Sequence, residues 1–227
     1  MAIESFEGNT FVAFVDISGF KKMMRNGNQA LDALETFYSA GYQELQNSRS
    51  RNVKVEGAFV SDCGILFTRP TSPNTTSIDE LRSLLMVIKN INKTMVARDY
   101  IISSSIAYGF FKYNERIDLE VIKKNAVYGG AYIKAYLDNE INSPKLRPGQ
   151  CRIVKEGLPP DVISFLSSNQ NEDDIFSYVK TGKSKSHYYY WWMSNDLEAI
   201  NEYETIYMNL EDLMYLGLLH KLQKNLP

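Results

Sequence analysis

Histidine and cysteine are nearly absent from this sequence of 227 residues. It has two of each, His187 and His220, Cys63 and Cys151. Two cysteines cannot build a disulfide framework, and they read as free thiols in a reducing cytoplasm. A His/Cys zinc site would need more ligands than the chain offers. No run of apolar residues approaches the length of a membrane span. The first residues, "MAIESFEGN", carry acids where a signal peptide carries bases. Nor is there an excess of positive charge: the formal net charge is -2, so no electrostatic footprint for nucleic acid exists. What remains is a globular composition, 44% hydrophobic and 23% charged. If the protein holds a metal, carboxylates are the ligands left to it.

The stretch "FVAFVDISGF" (11–20) places such a carboxylate. Phe11 to Val15 reads as a buried strand, Asp16 stands at its end, and a Ser-Gly turn follows. Ala30, Leu31, Leu34, Tyr38, Tyr42 and Leu45 then recur at helical spacing and predict an amphipathic helix with these residues as its apolar stripe. "VKVEGAFV" and "CGILF" read as two strands joined at Ser61 and Asp62. Ser77 and Glu80 predict a capping box for a second helix. "YIISSSIAYGFF" is a further strand, and "NAVYGGAYIKAYLDNEI" predicts a third, Gly-hinged helix. Beyond it come a strand at Cys151 to Val154, a helix opened by Pro159 and Pro160, and a hairpin of "FSYVK" with "HYYYWWM" across "TGKSKS". "YYYWW" alternates as a strand should and reads as packing. Asn195 to Leu226 predicts one long amphipathic helix.

The order β-α-β-β-α-β predicts an α+β fold of the ferredoxin-like or palm type, an antiparallel sheet with helices on one face. Residues 1–194 form one domain in this reading, and 195–227 a C-terminal helical extension. The first strand and the central hairpin then lie side by side, so Asp16 and Asp62 meet. Two carboxylates at adjoining strand ends suit divalent cations that keep waters and take substrate phosphates. The "ISGF" turn offers backbone N–H groups to phosphate oxygens. Such a set points to phosphoryl or nucleotidyl transfer. Helix capping by Asp16 and turn propensity at Asp62 are the structural alternatives.

"FVAFVDISGF" together with "VSDCGILF" resembles the signature pair of the class III nucleotidyl cyclases. "SSSIAYG" and "VYGGAYIKAYL" resemble later stretches of the same family. The resemblance implies that Asp16, Asp62 and the Ile17 carbonyl hold two divalent cations, Mg²⁺ or Mn²⁺. It implies that Ser18, Gly19 and Phe20 bind the triphosphate through backbone N–H groups, and that Lys183 or Lys185 contacts phosphate. It also implies a head-to-tail homodimer with two sites at its interface.

Departures from the family pattern fall on the base and transition-state positions. Ala58 and Ala126 stand where purine-reading side chains are expected, and neither offers a side-chain hydrogen bond. Ile133 and Leu137 stand in place of the family's Asn and Arg. Lys134, Arg98 or Arg147 would have to replace them. Intact metal acids with a remade base pocket resemble the Pycsar pyrimidine cyclases, antiviral enzymes whose cyclic UMP or cyclic CMP switches on a separate effector. The expected substrate is therefore a nucleoside triphosphate, UTP before CTP. The alternatives are a purine cyclase and a catalytically inactive nucleotide-binding or dimerisation module.

Overall fold

In the computed structural model, residues 3–119, 122–140, 145–168, 175–180, 184–192 and 210–221 are described. β1 (Phe6–Ile17) is the spine of an eight-stranded sheet. Its neighbours are β3 (Cys63–Pro70) and β4 (Ile102–Leu119), both antiparallel to it. β2 (Val53–Val60) closes one edge against β3. On the other side of β4 follow β6 (Cys151–Val154), β8 (His187–Tyr190) and β7 (Val179–Lys180). The core order β2-β3-β1-β4 is that of the split βαβ layout expected from the sequence.

Six consecutive buried residues, Thr10 to Val15, explain why β1 reads as a continuous apolar run. Successive strand residues face opposite sides of a sheet, and here both sides are covered. Phe11, Ala13, Val15 and Ile17 share a core with α2 (Gly27–Ser48) and α3 (Ser77–Val96). Val12 and Phe14 pack with Ala131 and Ala135 of α4 (Gly130–Glu140). Helices therefore stand on both faces, with α4 supplying the second cover.

Four local expectations need correction. The face that α2 buries carries Ala30, Ala33, Phe37, Ala40 and Gly41, while Leu31, Tyr38 and Tyr42 are exposed. Small residues win that face because the Phe59 ring of β2 lies where a Cβ on Gly41 would stand, 2.3 Å away. The capping box of α3 is one residue earlier, Thr76 with Asp79. Glu80 turns inward instead and accepts a bond from Thr68 Oγ1 at 2.6 Å. Residues 125–128, read as the start of the third helix, belong instead to β5 (Ile122–Tyr128), which pairs with the extended end of β4. The helix cannot begin before Gly129: its φ is +137°, and a Cβ there would sit 2.4 Å from the Phe110 carbonyl oxygen. Finally, the C-terminal helix is not continuous across the described residues. A helix at 210–215 ends at Gly217, φ +64°, where the Leu218 amide reaches back to the Leu213 carbonyl at 2.8 Å.

Leu210, Met214 and Leu219 are buried in the main core, so this part of the tail folds onto its own chain. Residues 195–209 and 222–226 of the predicted helix lie outside the described residues. α5 (Pro160–Ser167) opens at the predicted prolines. Tyr188, Tyr190, Trp191 and Trp192 are buried as packing residues. Among the described residues, no helix is long and apolar enough to cross a membrane.

Candidate metal and nucleotide site

Register brings the two predicted acids together. Asp16 stands opposite Cys63 in the β1–β3 ladder, one residue from the Ser61-Asp62 turn. Ser61 takes φ 54°, as a two-residue hairpin turn requires. The Ile17 amide donates to the Asp62 carbonyl at 3.0 Å, tying the turn to the strand end. α2 braces the same turn from outside: Tyr38 Oη donates to the Ser61 carbonyl at 2.9 Å, and Phe37 packs edge-on against Phe59. The carboxylates therefore sit on a braced framework.

Their donor atoms converge. Asp16, Asp62 and Cys63 each offer one ligand atom, all within 4.8 Å of one another. The Cys63 thiol donates to Asp16 Oδ1 at 3.2 Å. Burial pushes the Asp16 carboxyl up to about 6; the Cys63 bond opposes this, and the negative charges of Asp62 and Glu140 add to it. Burial likewise pushes the Cys63 thiol up, helped by the adjacent Asp16. Clustered acids without a counter-charge are costly, and a divalent cation is the partner that reverses the cost. The donor set therefore fits such an ion. Cys63 and Glu140 were not singled out in the sequence. The signal for Cys63 was available, since it directly follows Asp62 and so comes beside the end of the first strand once Asp16 and Asp62 meet.

After Asp16 the chain turns through Ser18 and Gly19, whose φ is +76°, into α1 (Phe20–Met23). The Ser18 amide donates to the Ile101 carbonyl at 2.9 Å, so in this conformation it is committed to the sheet. The Gly19 and Phe20 amides open a helix and have no intrahelical acceptor. Met214 and Tyr215 of the tail cover this turn. The Met214 Cε would lie 3.1 Å from a Cβ on Gly19, and Lys22 Nζ donates to Tyr215 Oη at 2.9 Å.

The other predicted site residues stand elsewhere in the chain. Ala58 lies on β2 opposite Ile65, at the level of Phe14, and Ala126 lies on β5 opposite Asn114. β4 runs from Ser103, beside Asp16, to Asn114, so Ala126 is at the far end of the sheet. Lys185 is exposed just before His187, which pairs with Val154, whereas Cys151 marks the Asp16 end of β6. Lys185 thus lies off the end of β8 that points away from Asp16, and Lys183 lies outside the described residues. Lys134 is paired with Glu156 at 2.8 Å. Ile133 and Leu137 are exposed apolar side chains. Arg98 lines an open cleft with Asp32 and Glu35, and the Arg147 amide donates to Gln150 Oε1. Among the described residues, one chain brings together Asp16, Asp62 and the Ile17–Phe20 turn, with Ala58 two rungs away on β2, but neither Ala126 nor Lys185.

A second polar cluster, absent from the sequence reading, lies under α4. Asp138 Oδ1 accepts from His187 Nε2 at 2.7 Å, and Oδ2 accepts from Arg152 Nε at 3.1 Å and from Ser105 Oγ. Ser186 Oγ lies 2.9 Å from the other ring nitrogen of His187. Arg152 is 1% exposed and Asp138 6%. Burial opposes ionisation of Asp138, yet hydrogen bonds from His187 and Ser105 and the Arg152 charge hold its carboxyl below the usual range.

The fold has many solved counterparts. It is similar to the catalytic core of a rhodopsin-guanylyl cyclase with converted specificity bound to ATPαS: TM-score 0.56, 13% identity, 83% of this chain and 97% of that one. The guanylate cyclase domain of RhGC from Catenaria anguillulae, bound to GTP, matches at TM-score 0.55 and 13% identity, over 82% and 97%. Adenylyl cyclase CyaB from P. aeruginosa matches at TM-score 0.50 and 14% identity, over 68% and 80%. No family model and no curated protein matches the sequence. The architecture is that of the class III cyclase catalytic domain.

Proposed function

We propose that this protein is a nucleotidyl cyclase, and that its substrate is a pyrimidine nucleoside triphosphate, UTP before CTP. The reaction is attack of the ribose 3′-oxygen on the α-phosphorus. The bond to the β-phosphate oxygen breaks, pyrophosphate leaves, and the hydroxyl proton passes to solvent. The observation that carries the reading is the meeting of Asp16 and Asp62 at adjoining strand ends, on the fold of known cyclase domains. Two divalent ions, Mg²⁺ or Mn²⁺, would supply charge that acidifies the 3′-hydroxyl and neutralises the leaving group. Asp16, Asp62 and the Ile17 carbonyl would hold them. The Gly19 and Phe20 amides would receive triphosphate oxygens, and Ser18 could join only by releasing Ile101.

The pyrimidine assignment rests on Ala58 and Ala126. A site rejects wrong bases through buried polar groups that only the right base satisfies, and these positions carry none toward a purine edge. Incubating the protein with each of the four nucleoside triphosphates and Mn²⁺ or Mg²⁺, with mass spectrometry of the products, tests this directly. Cyclic UMP or cyclic CMP should form, with ATP and GTP poor substrates. Efficient cyclic AMP or cyclic GMP synthesis with inert pyrimidines would sink the assignment. A role in antiviral second-messenger signalling in the cytoplasm, with a separate effector reading the product, follows from the Pycsar likeness alone. Ile133 and Leu137 favour a second reading, a nucleotide-binding module without turnover. Binding of triphosphate with no product in any of the eight reactions would establish it.

The site is completed by a second copy of the chain. Asp16 stands at one end of the sheet and Ala126 at the other, while Lys185 lies off the end of β8 that points away from Asp16. In a two-fold head-to-tail dimer the far end of one copy meets the acids of its partner. Asp16→Asn and a Lys183→Ala, Lys185→Ala double variant should each be inactive alone. Mixed, they should form heterodimers with one intact site and recover part of the activity. A monomer that still cyclises UTP would exclude the arrangement, as would mixtures that stay dead despite proven heterodimers. Lys134 would assist at the transition state only if it left Glu156.

A further inference from the structure

We propose that Cys63 is a third side-chain donor at the Asp16–Asp62 centre, and that the resulting O,O,S set captures a thiophilic divalent ion of the Zn²⁺ class. The centre would then have two modes, one for hard ions through oxygens alone and one for softer ions through the thiolate as well. The proposal shares its carboxylates with the cyclase reading but needs no turnover.

Position argues first. Cys63 faces Asp16 directly across the β1–β3 ladder, and side chains directly opposite one another share a face of the sheet. The thiol lies 3.2 Å from Asp16 Oδ1, and all three donor atoms fall within 4.8 Å of one another. Zn–S and Zn–O bonds of about 2.3 and 2.0 Å put tetrahedral donors roughly 3.5 Å apart. The Asp16–Cys63 edge is already near that length, so an ion could enter with little movement of either side chain.

Chemistry argues second. Carboxylate and water ligands suit Mg²⁺ and Mn²⁺, whereas thiolate selects Zn²⁺ and its soft relatives, which also bind more tightly in the divalent series. The Cys63 proton occupies the gap between two donors. On binding, the S–H bond breaks, a metal–sulfur bond forms, and the proton goes to solvent; no electron is transferred. A half-buried thiol hydrogen-bonded to a carboxylate lacks the electropositive surroundings of a redox-reactive cysteine, which leaves ligation as its available chemistry. Cys151, the other thiol, is fully buried and is not among the donors.

Cobalt provides the test, because a thiolate bound to Co²⁺ gives a near-ultraviolet charge-transfer band that oxygen ligands do not. The full chain is titrated with Co²⁺ in the absence of nucleotide. The wild type and Cys151→Ser should show the band, and Zn²⁺ should displace it at near-stoichiometric amounts. In Cys63→Ser the band should vanish and Co²⁺ affinity should fall at least about tenfold, since even residues that only support a ligand cost that much. Should that variant fail to fold, ¹¹³Cd NMR of wild type and Cys151→Ser reads sulfur ligation from the chemical shift. Co²⁺ binding without the band, a band that survives Cys63→Ser, or a Cd²⁺ resonance showing oxygen donors only would overturn the proposal. A band without any cyclic nucleotide product would refute the cyclase reading and leave this one standing.

Discussion

Asp16→Asn and Asp62→Asn are each expected to lower nucleotide turnover by at least about three orders of magnitude while leaving the fold in place. Charge stabilisation by a bound ion is worth several kcal/mol, and each 1.36 kcal/mol is tenfold in rate. Asn keeps the size of Asp but loses the charge that holds the ion. The structural cost should be small for a specific reason. Asp16 is a carboxylate that burial and its acidic neighbours disfavour in the ion-free protein. The sign follows from that shift. A folded pKa of about 6, above the ordinary 3.8, means that the native state binds the extra proton between these values. Ion-free stability therefore falls as pH rises through that window, and Asp16→Asn should abolish this loss. Initial rates with Mn²⁺ and thermal melts of the metal-free protein check both halves. Turnover within tenfold of wild type in either variant would remove the two-ion mechanism. A melting temperature lowered by many degrees would point to a structural role instead.

The largest effect on stability is expected from Asp138→Ala. This carboxylate serves three elements at once: Ser105 on β4, Arg152 on β6 and His187 on β8. Arg152 also donates through Nη2 to the Asp138 carbonyl oxygen, so the ion pair fixes the end of α4 to the sheet. Removing one member of a buried pair costs about 3–5 kcal/mol, because the remaining charge keeps its desolvation penalty. For a chain of this size that corresponds to a melting temperature lower by roughly 10 °C. Asp138→Asn should cost less, since it retains hydrogen-bonding capacity. The pH dependence has the opposite sign to that of Asp16. A depressed carboxyl contributes stability that is complete above the ordinary carboxylate value of 3.8 and is lost as pH falls below it. Melts at pH 7 and along an acid series decide this. A change under 2 °C at pH 7, or an unaltered acid limb, would show that the cluster is not a structural tie.

Because α4 also carries Ile133, Lys134 and Leu137, the same tie bears on function. In the proposed head-to-tail dimer, it would position the helix that carries these side chains. Asp138, near the end of α4, is buried against the sheet, while Ile133 and Leu137 are exposed.

Some of this protein is determined by short-range sequence alone. The apolar run before Asp16 reads as a strand from its β-branched and aromatic residues. The two residues between "VKVEGAFV" and "CGILF" can only close a hairpin, and Pro159 and Pro160 open a helix by their fixed φ. Those features were enough to make Asp16 and Asp62 neighbours, because strand order and the side-chain period of two leave little freedom for where their ends fall. Tertiary structure decided the rest. Which face of α2 is buried depended on the Phe59 ring lying over Gly41, a contact across elements that helical spacing does not encode. Whether residues 125–128 were strand or helix depended on an open stretch of β4 being available to pair. Asp138 and Arg152 become partners only because β4, β6 and β8 lie side by side beneath α4. Cys63 lies in between. Its register was legible, but its place among the metal-ligating atoms came from the distance that folding set between a thiol and a carboxylate.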